Sequence, residues 1–259
     1  MKIVVCVKHV PDASAERRFS ADSTVDRVSV DGVLSELDEY AVEQALQIRD
    51  ASEGEVVVLT MGPLGARAAL TRSLQMGADS GIHVVDDAIH GSDAVGTSFV
   101  LAKALERQTA DIVLCGMAST DGSMSVVPAM LAELLGLPQL TFASEVTVDG
   151  TSVRIRREAD VAIEVVEAST PLVLSVTDQA NEPRYPSFKG IMAAKKKPVE
   201  ELSLAQLGVD ADRVGLTTAW TRVEELTQRP PRTTGTIVSE DSGAGAERLV
   251  EYLVSQKFV

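Results

Sequence analysis

The chain has 259 residues, 45% of them hydrophobic and 24% charged, which suits one large α/β domain with an appendage, or two small domains. This balance excludes a disordered chain and a disulfide-stapled mini-protein, and the net charge of −14 argues against nucleic acid as a partner, because it repels phosphate backbones. The mean hydropathy is +0.10, no apolar run nears the ~20 residues of a membrane span, and no basic, cleavable leader precedes the first apolar run, so a soluble, cytoplasmic protein without membrane insertion is expected.

Apolar, β-branched runs then alternate with helix-period segments, the pattern of parallel βαβ units. Residues 3–7 are predicted as the first strand, nearly all apolar and so placed centrally in a sheet covered on both faces. A helix over 39–50 follows, with Tyr40, Val42, Ala45, Leu46 and Arg49 near 3.6 spacing and Asp38 available as N-cap. Strands at 56–60, 82–85 and 112–115 alternate with helices near 64–76, 93–107 and 124–135. After Gly136-Leu137-Pro138 the period changes to two. Residues 142–148 and 151–157 flank Asp149-Gly150, which predicts an antiparallel hairpin inserted before the last parallel strand, 172–177. The insertion carries a charged cluster of Arg154, Arg156, Arg157, Glu158 and Asp160.

Residues 181–200 oppose the overall charge, with five cations (Arg184, Lys189, Lys195, Lys196, Lys197) against Glu182 and Glu200. Such a run is either a solvated face or a docking surface. Beyond Pro198 the pattern thins: 229–235 reads as a Pro-rich linker, 242–247 is small and polar, and 248–258 is amphipathic. The expected organisation is a core over 1–198 and a linker with a C-terminal arm over 199–259. The linker is long for a compact fold, which favours an arm that wraps a partner over one that returns to its own domain.

In an open parallel sheet a ligand sits beyond the carboxyl ends of the strands, where the winding reverses. The segments to inspect are therefore 6–12, 61–65 and 116–127. The third is small, polar and glycine-bearing, and leads into a helix whose first N–H groups, with neighbouring hydroxyls, suit a phosphate; the same residue types also make ordinary turns. Asp38 either accepts from a ribose or adenine or simply caps its helix. No P-loop lysine and no G-x-G-x-x-G after the first strand are present. Cys6 and Cys115 lie in apolar runs and read as small hydrophobes, and His9, His83 and His90 lack neighbours at ligand spacing, so no metal site is expected. No arrangement of Ser, His, Cys or paired carboxylates suggests catalysis, so the chain reads as a non-enzyme.

Several segments closely resemble the electron-transferring flavoprotein (ETF) beta subunit. They are Glu164 to Leu174, Asn181-Glu182-Pro183-Arg184-Tyr185, and Gly190-Ile191-Met192-Ala193-Ala194-Lys195-Lys196-Lys197-Pro198. Further matches are Val7 to Asp12, Asp38 to Glu43, Met61-Gly62-Pro63, Met76 to Asp79 and Arg157 to Asp160, so the likeness spans nearly the whole chain. The resemblance implies a Rossmann-like, adenine-nucleotide-binding α/β fold with the inserted hairpin and the C-terminal arm. It further implies a heterodimer with an ETF alpha subunit that holds most of the FAD, while this chain binds AMP structurally. Electrons would pass from acyl-CoA and related dehydrogenases, as in fatty acid beta-oxidation, to the flavin and on to ETF-quinone oxidoreductase or a similar acceptor.

Carried over by position, the AMP contacts implied are Cys6, Val7, Ser35, Asp38, Met61, Gly116, Asp121, Gly122, Ser123, Met124, Ser125, Val126 and Val127. The phosphate would lie against the 121–127 turn, with the adenine between Cys6 and the Asp38 segment. Where much of the family has Asn, Gln and Thr or Val, this chain has Ser35, Val126 and Val127, which leaves Ser123, Ser125 and main-chain donors for the phosphate. The implied partner-recognition loop is 180–194, with Tyr185, Phe188, Lys189, Ile191 and Met192, Phe188 standing for the family's apolar anchor. Aromatic residues near the flavin in relatives appear here as Ala13 and Leu37, and Glu158 stands where the family places a charge that pairs with alpha. The rival reading is a stand-alone adenine-nucleotide-binding protein of the universal-stress type, whose Gly-rich phosphate loop is missing here. An adenylylating enzyme would need a Ser-Gly-Gly-rich turn where Lys8-His9-Val10-Pro11-Asp12 stands.

Overall fold

The computed structural model describes residues 1–15, 18–227, 235, 237 and 243–259, which form two compact units, Met1–Val223 and Glu224–Val259. In chain order the first unit contains β1 (Lys2–Cys6), β2 (His9–Pro11), β3 (Gly32–Leu34), α1 (Glu36–Ser52), β4 (Glu55–Met61), α2 (Arg67–Met76), β5 (Ser80–Val84), α3 (Ala94–Leu105), β6 (Ile112–Gly116) and α4 (Val127–Leu135). There follow β7 (Gln139–Asp149), β8 (Ser152–Glu158), β9 (Ile163–Ser169), β10 (Leu172–Val176), α5 (Phe188–Ala194) and β11 (Val199–Leu202).

Among the described residues nine strands form one sheet, in the order β11-β5-β4-β1-β6-β10-β7-β8-β9, and β2 pairs with β3 in a separate ribbon. The pairings from β11 to β7 are parallel and those of β7-β8-β9 antiparallel, so the fold is α/β with a mostly parallel open sheet. As expected, β1 is central, and the winding reverses between it and β6. Alternate residues of the central strands enter two cores. Ile3, Val5, Leu114 and Leu174 meet Leu46 and Leu70 of α1 and α2; Val4, Leu59 and Val173 meet Val100 and Leu131 of α3 and α4.

All five predicted parallel strands form within a residue or two of expectation. The hairpin about Asp149-Gly150 also forms, and it gains a third strand. That strand, β9, lies at the sheet edge with Ile163 and Val165 exposed and Val166 and Ala168 packed on the core, so apolar residues on both faces blur its alternation. Arg154 pairs with Glu167 and Arg157 with Glu164 across β8 and β9. Helix α1 starts earlier than predicted, so its N-cap is Ser35 rather than Asp38. The expected helix 64–76 is a 3-10 turn, Leu64–Ala66, followed by α2.

The first unit runs past the boundary expected at Pro198. Strand β11 pairs with β5, and Leu202, Leu204, Leu207, Val209 and Val214 bury in the core beside α3. These apolar residues are too sparse to show a period, yet they complete one flank of the sheet. In the second unit, α6 (Gly245–Ser255) is amphipathic, with no buried residue and with Leu249, Val250, Tyr252 and Val254 exposed. Apart from Gly235, the expected 229–235 linker up to Thr234 lies outside the described residues, as does Ser242 of the expected small polar stretch.

Candidate functional site

The carboxyl ends of β1 and β6 lie side by side, with Cys6 in register with Cys115. Both thiols are buried; the hydrogen bond with Cys6, together with burial, holds the Cys115 thiol well above its ordinary pKa, which makes it unreactive. Their role is packing. Helix α1 points its first turn at this junction, and Asp38 in that turn accepts from the Lys8 N–H at 2.8 Å and from the N–H of Gly116. Burial pushes the Asp38 carboxyl up to about 7, although both N–H groups and the Lys8 charge favour its ionised form. Gly116 must be glycine: a Cβ there would lie 2.6 Å from Asp38 Oδ1 and 2.7 Å from the Leu37 carbonyl oxygen. Asp38 therefore ties the ends of β1 and β6 to α1.

The loop from β6 to α4 turns on Ser123 and Ser125, whose φ angles of +53° and +58° are left-handed and cost about 1 kcal/mol or more each. Gly122 N donates to Ser119 Oγ, Ser123 N to the Ser119 carbonyl, and Thr120 N to Ser35 Oγ at 3.4 Å. By contrast, the N–H groups of Met124, Ser125, Val126 and Val127 have no hydrogen-bond partner among the described residues; helix geometry accounts for the last two, at the N-cap and first position of α4, while the first two lie in the loop before it. With the Ser123 and Ser125 hydroxyls they form a donor set that fits a phosphate.

Two cations border this loop and are already matched. Lys8 Nζ lies 2.8 Å from Asp121 Oδ1, and Arg27 donates to Asp121 Oδ2 and, at 3.0 Å, to the His9 carbonyl. The Asp121 side chain is only 4% exposed. Its burial works to raise the pKa, but the Lys8 charge and the hydrogen bonds from Lys8, Arg27 and Ser119 outweigh it and keep the carboxylate ionised well below the usual range. An anion here would thus be held by main-chain and hydroxyl donors more than by net positive charge. Cys6, Ser35 and Asp38 are themselves buried, so they are suited to the floor of a site, while Met61 at the end of β4 is partly open. Val7 is buried just beyond β1.

The crevice residues predicted from sequence thus gather at one end of the sheet. Lys8 and Arg27 were missed as partners of Asp121: Lys8 lay within the inspected segment 6–12, but Arg27 sits in an irregular loop that offers no periodic signal.

The recognition set lies elsewhere. Tyr185 leads into α5, which carries Phe188, Lys189, Ile191 and Met192 and is capped by Ser187 Oγ accepting from Gly190 N at 3.1 Å. Part of the expected loop is therefore helix. Phe188 is 81% exposed, not tucked into its own core. Helix α5 packs on α2, with Gly190 against the Gln75 carbonyl. Because α2 returns antiparallel to the strands, this contact lies at the end of the sheet away from the crevice.

The basic block is only partly a solvated face. Arg184 Nε and Nη2 grip Glu43 at 2.7 and 3.0 Å, Asn181 donates to the Tyr40 carbonyl, and Lys197 Nζ donates to the carbonyls of Leu74 and Ala78. Glu158, the last residue of β8, pairs with Arg156 at 3.2 Å. Of the histidines, His83 contacts the Gly62 carbonyl and His90 pairs with Asp22. No cluster of three or more metal-ligating side chains occurs among the described residues, and no described helix is long and apolar enough to cross a membrane.

Fold and site together define a doubly wound α/β protein with a donor-rich crevice at its switch point and a separate, exposed apolar helix. The electron transfer flavoprotein domain family matches residues 22–207. The chain is 47% identical over 264 residues to the electron transfer flavoprotein subunit beta of Mycobacterium tuberculosis, covering 99% of both chains. It is 33% identical over 270 residues to that of Megasphaera elsdenii, and 30% identical over 267 residues to the acryloyl-CoA reductase electron transfer subunit gamma of Anaerotignum propionicum, covering all of each chain. The chain belongs to the electron transfer flavoprotein family, as a beta subunit: a component of an electron carrier rather than a catalyst.

Proposed function

We propose that this chain is the scaffolding half of a two-subunit flavin carrier, pairing with an alpha subunit that holds most of the FAD. FAD supplies the redox chemistry; this chain's residues bind, position and dock. The crevice takes AMP as a structural ligand. Its phosphate rests on the N–H groups of Met124 to Val127 and the hydroxyls of Ser123 and Ser125, and its adenine lies over Cys6 and the Ser35 to Asp38 turn. Gly116, Met61, Val7, Asp121 and Gly122 complete the contacts.

The α5 segment, with Phe188 as anchor and Tyr185, Lys189, Ile191 and Met192 around it, docks acyl-CoA and related dehydrogenases. Electrons from such donors would pass through the FAD held by the alpha subunit to a quinone reductase or similar acceptor, the arrangement that serves fatty acid beta-oxidation in the cytoplasm. Glu158 faces the alpha subunit, and the C-terminal arm packs on it from Glu224 onward.

The observation that carries the nucleotide assignment is the unsatisfied run of N–H groups at Met124 to Val127, set beside Asp38 and Gly116 at the switch point. Co-expression with a matching alpha chain, followed by denaturation and mass analysis of the released nucleotides, tests it. One FAD and one AMP per yellow heterodimer are expected. A colourless chain with no affinity for alpha overturns the pairing, and a heterodimer that releases FAD alone overturns the AMP site.

A further inference from the structure

On the face of the sheet opposite α1, helices α3 and α4 and the segment 213–220 border an open cavity of about 890 Å³ walled by Phe99, Met130, Leu134, Arg213 and Trp220; Glu133 also lines it, and Ser125 and Val126 join it to the crevice at the strand ends. That is the size of a formed binding pocket. Asp93 holds its wall: one carboxylate oxygen accepts from Gly96 N and caps α3, while the other accepts from the N–H groups of Trp220 and Thr221 at 2.8 and 2.9 Å. Gly215 N donates to Ser92 Oγ and Leu216 N to the His90 carbonyl, both at 2.9 Å. The backbone of this wall is therefore pinned, yet the Trp220 residue is 84% exposed, in a chain with one tryptophan.

Arg213 adds a second unmatched group. Its guanidinium lies 4.3 Å over the Phe99 ring and makes no ion pair or hydrogen bond among the described residues. A stacked but unpaired arginine, an exposed tryptophan and a methionine around a preformed cavity have the composition of an interface hot spot. Leu134, exposed, extends the apolar rim.

We infer that this cavity is a socket for a segment of the alpha subunit that inserts an apolar side chain beside Trp220 and Met130 and sets a carboxylate on Arg213. The inference rests on the pairing proposed above and adds where on this chain it is anchored. Glu133 lines the same cavity but makes no ion pair with Arg213 among the described residues, so the free guanidinium calls for an acidic group from the partner. Mutual repulsion between two chains of −14 opposes a second copy at the same face.

The lone tryptophan makes the test direct. The full chain labelled with 5-fluorotryptophan gives one fluorine resonance, which is followed as unlabelled alpha subunit is added. The resonance is expected to shift as the heterodimer forms and to lose its H2O/D2O solvent shift. Trp220→Ala keeps the main-chain N–H that Asp93 holds, so the wall stays pinned; it is expected to weaken pairing about 30-fold, equivalent to about 2 kcal/mol. Arg213→Glu weakens it at least tenfold, and Arg213→Lys less. A heterodimer that elutes as a pair while the resonance stays unchanged and Trp220→Ala pairs as tightly overturns the socket and leaves the pairing intact. Absence of any heterodimer defeats the pairing, and the socket with it. A shift that grows with the concentration of this chain alone, as its mass doubles, assigns the cavity to a second copy and overturns the inference.

Discussion

Truncating Arg184 to alanine tests whether the basic block is structural. Its guanidinium reaches both oxygens of Glu43, at 2.7 and 3.0 Å, and Asp50 Oδ2 at 3.2 Å. The Glu43 side chain is 5% exposed and that of Arg184 37%. Removing one member of a buried pair costs about 3–5 kcal/mol because the other charge is stranded. Here Gln47 Nε2 and the main-chain N–H of residue 184 remain on Glu43, at 3.0 and 3.2 Å, and the guanidinium is more than one-third exposed. That discounts the expected loss to roughly 2 kcal/mol. At about 2–4 °C per kcal/mol for a unit of this size, Tm falls by roughly 4–8 °C. Urea and thermal unfolding of the full chain, with Glu43→Gln and the double variant completing a cycle, measure it; the coupling should exceed about 1 kcal/mol. Amide exchange at Ile191, whose N–H bonds the Ser187 carbonyl, should quicken in Arg184→Ala, because the anchor just before α5 is gone. A stability change under about 0.5 kcal/mol, with unchanged exchange, refutes the structural role.

Three further outcomes are expected. Asp38 is raised to about 7 in the folded protein, so the folded state binds its proton more tightly than the unfolded chain; its contribution is full below about pH 4 and is lost as pH rises through 7. Asp38→Asn should therefore flatten the decline in stability between pH 5 and 8 by roughly 1–3 kcal/mol, and denaturant titrations with parallel pH slopes for the two proteins would contradict this. Gly116→Ala forces a Cβ against Asp38 Oδ1 and the Leu37 carbonyl and should destabilise by about 2 kcal/mol or more, read as a fall in the urea midpoint. Phe188→Ala, at an exposed position, should leave stability within about 0.5 kcal/mol and FAD content unchanged, while rapid-mixing kinetics show slower dehydrogenase-to-flavin transfer.

What could be read from the residues alone follows from how each segment is buried. Strands covered on both faces, such as Ile112–Gly116, announce themselves as short apolar runs, and the Asp149-Gly150 turn marks its hairpin. Strand β9 escaped because an edge strand need not alternate, and β11 because Val199-Glu200-Glu201-Leu202 buries fully only its last residue. The crevice segments were legible because switch points lie at strand ends, whatever the side chains. Contacts closed over long sequence distances were not: Arg27 with Asp121, Arg184 with Glu43 and Asp93 with Trp220 have no local signature. The Asn181 to Tyr185 and Asp38 to Glu43 segments, each recognisable separately, prove to be two sides of one contact.

The placement of α5 at the far end of α2 from the crevice insulates one surface from the other. Ten helical residues, roughly 15 Å of rigid rod, stand between the ledge that presents Phe188 and the end of the sheet where Asp38 and Gly116 meet. Side chains on the ledge can be exchanged without disturbing the packing that closes the crevice. A lineage is thereby free to alter the exposed ledge while the packing at the strand ends stays constant.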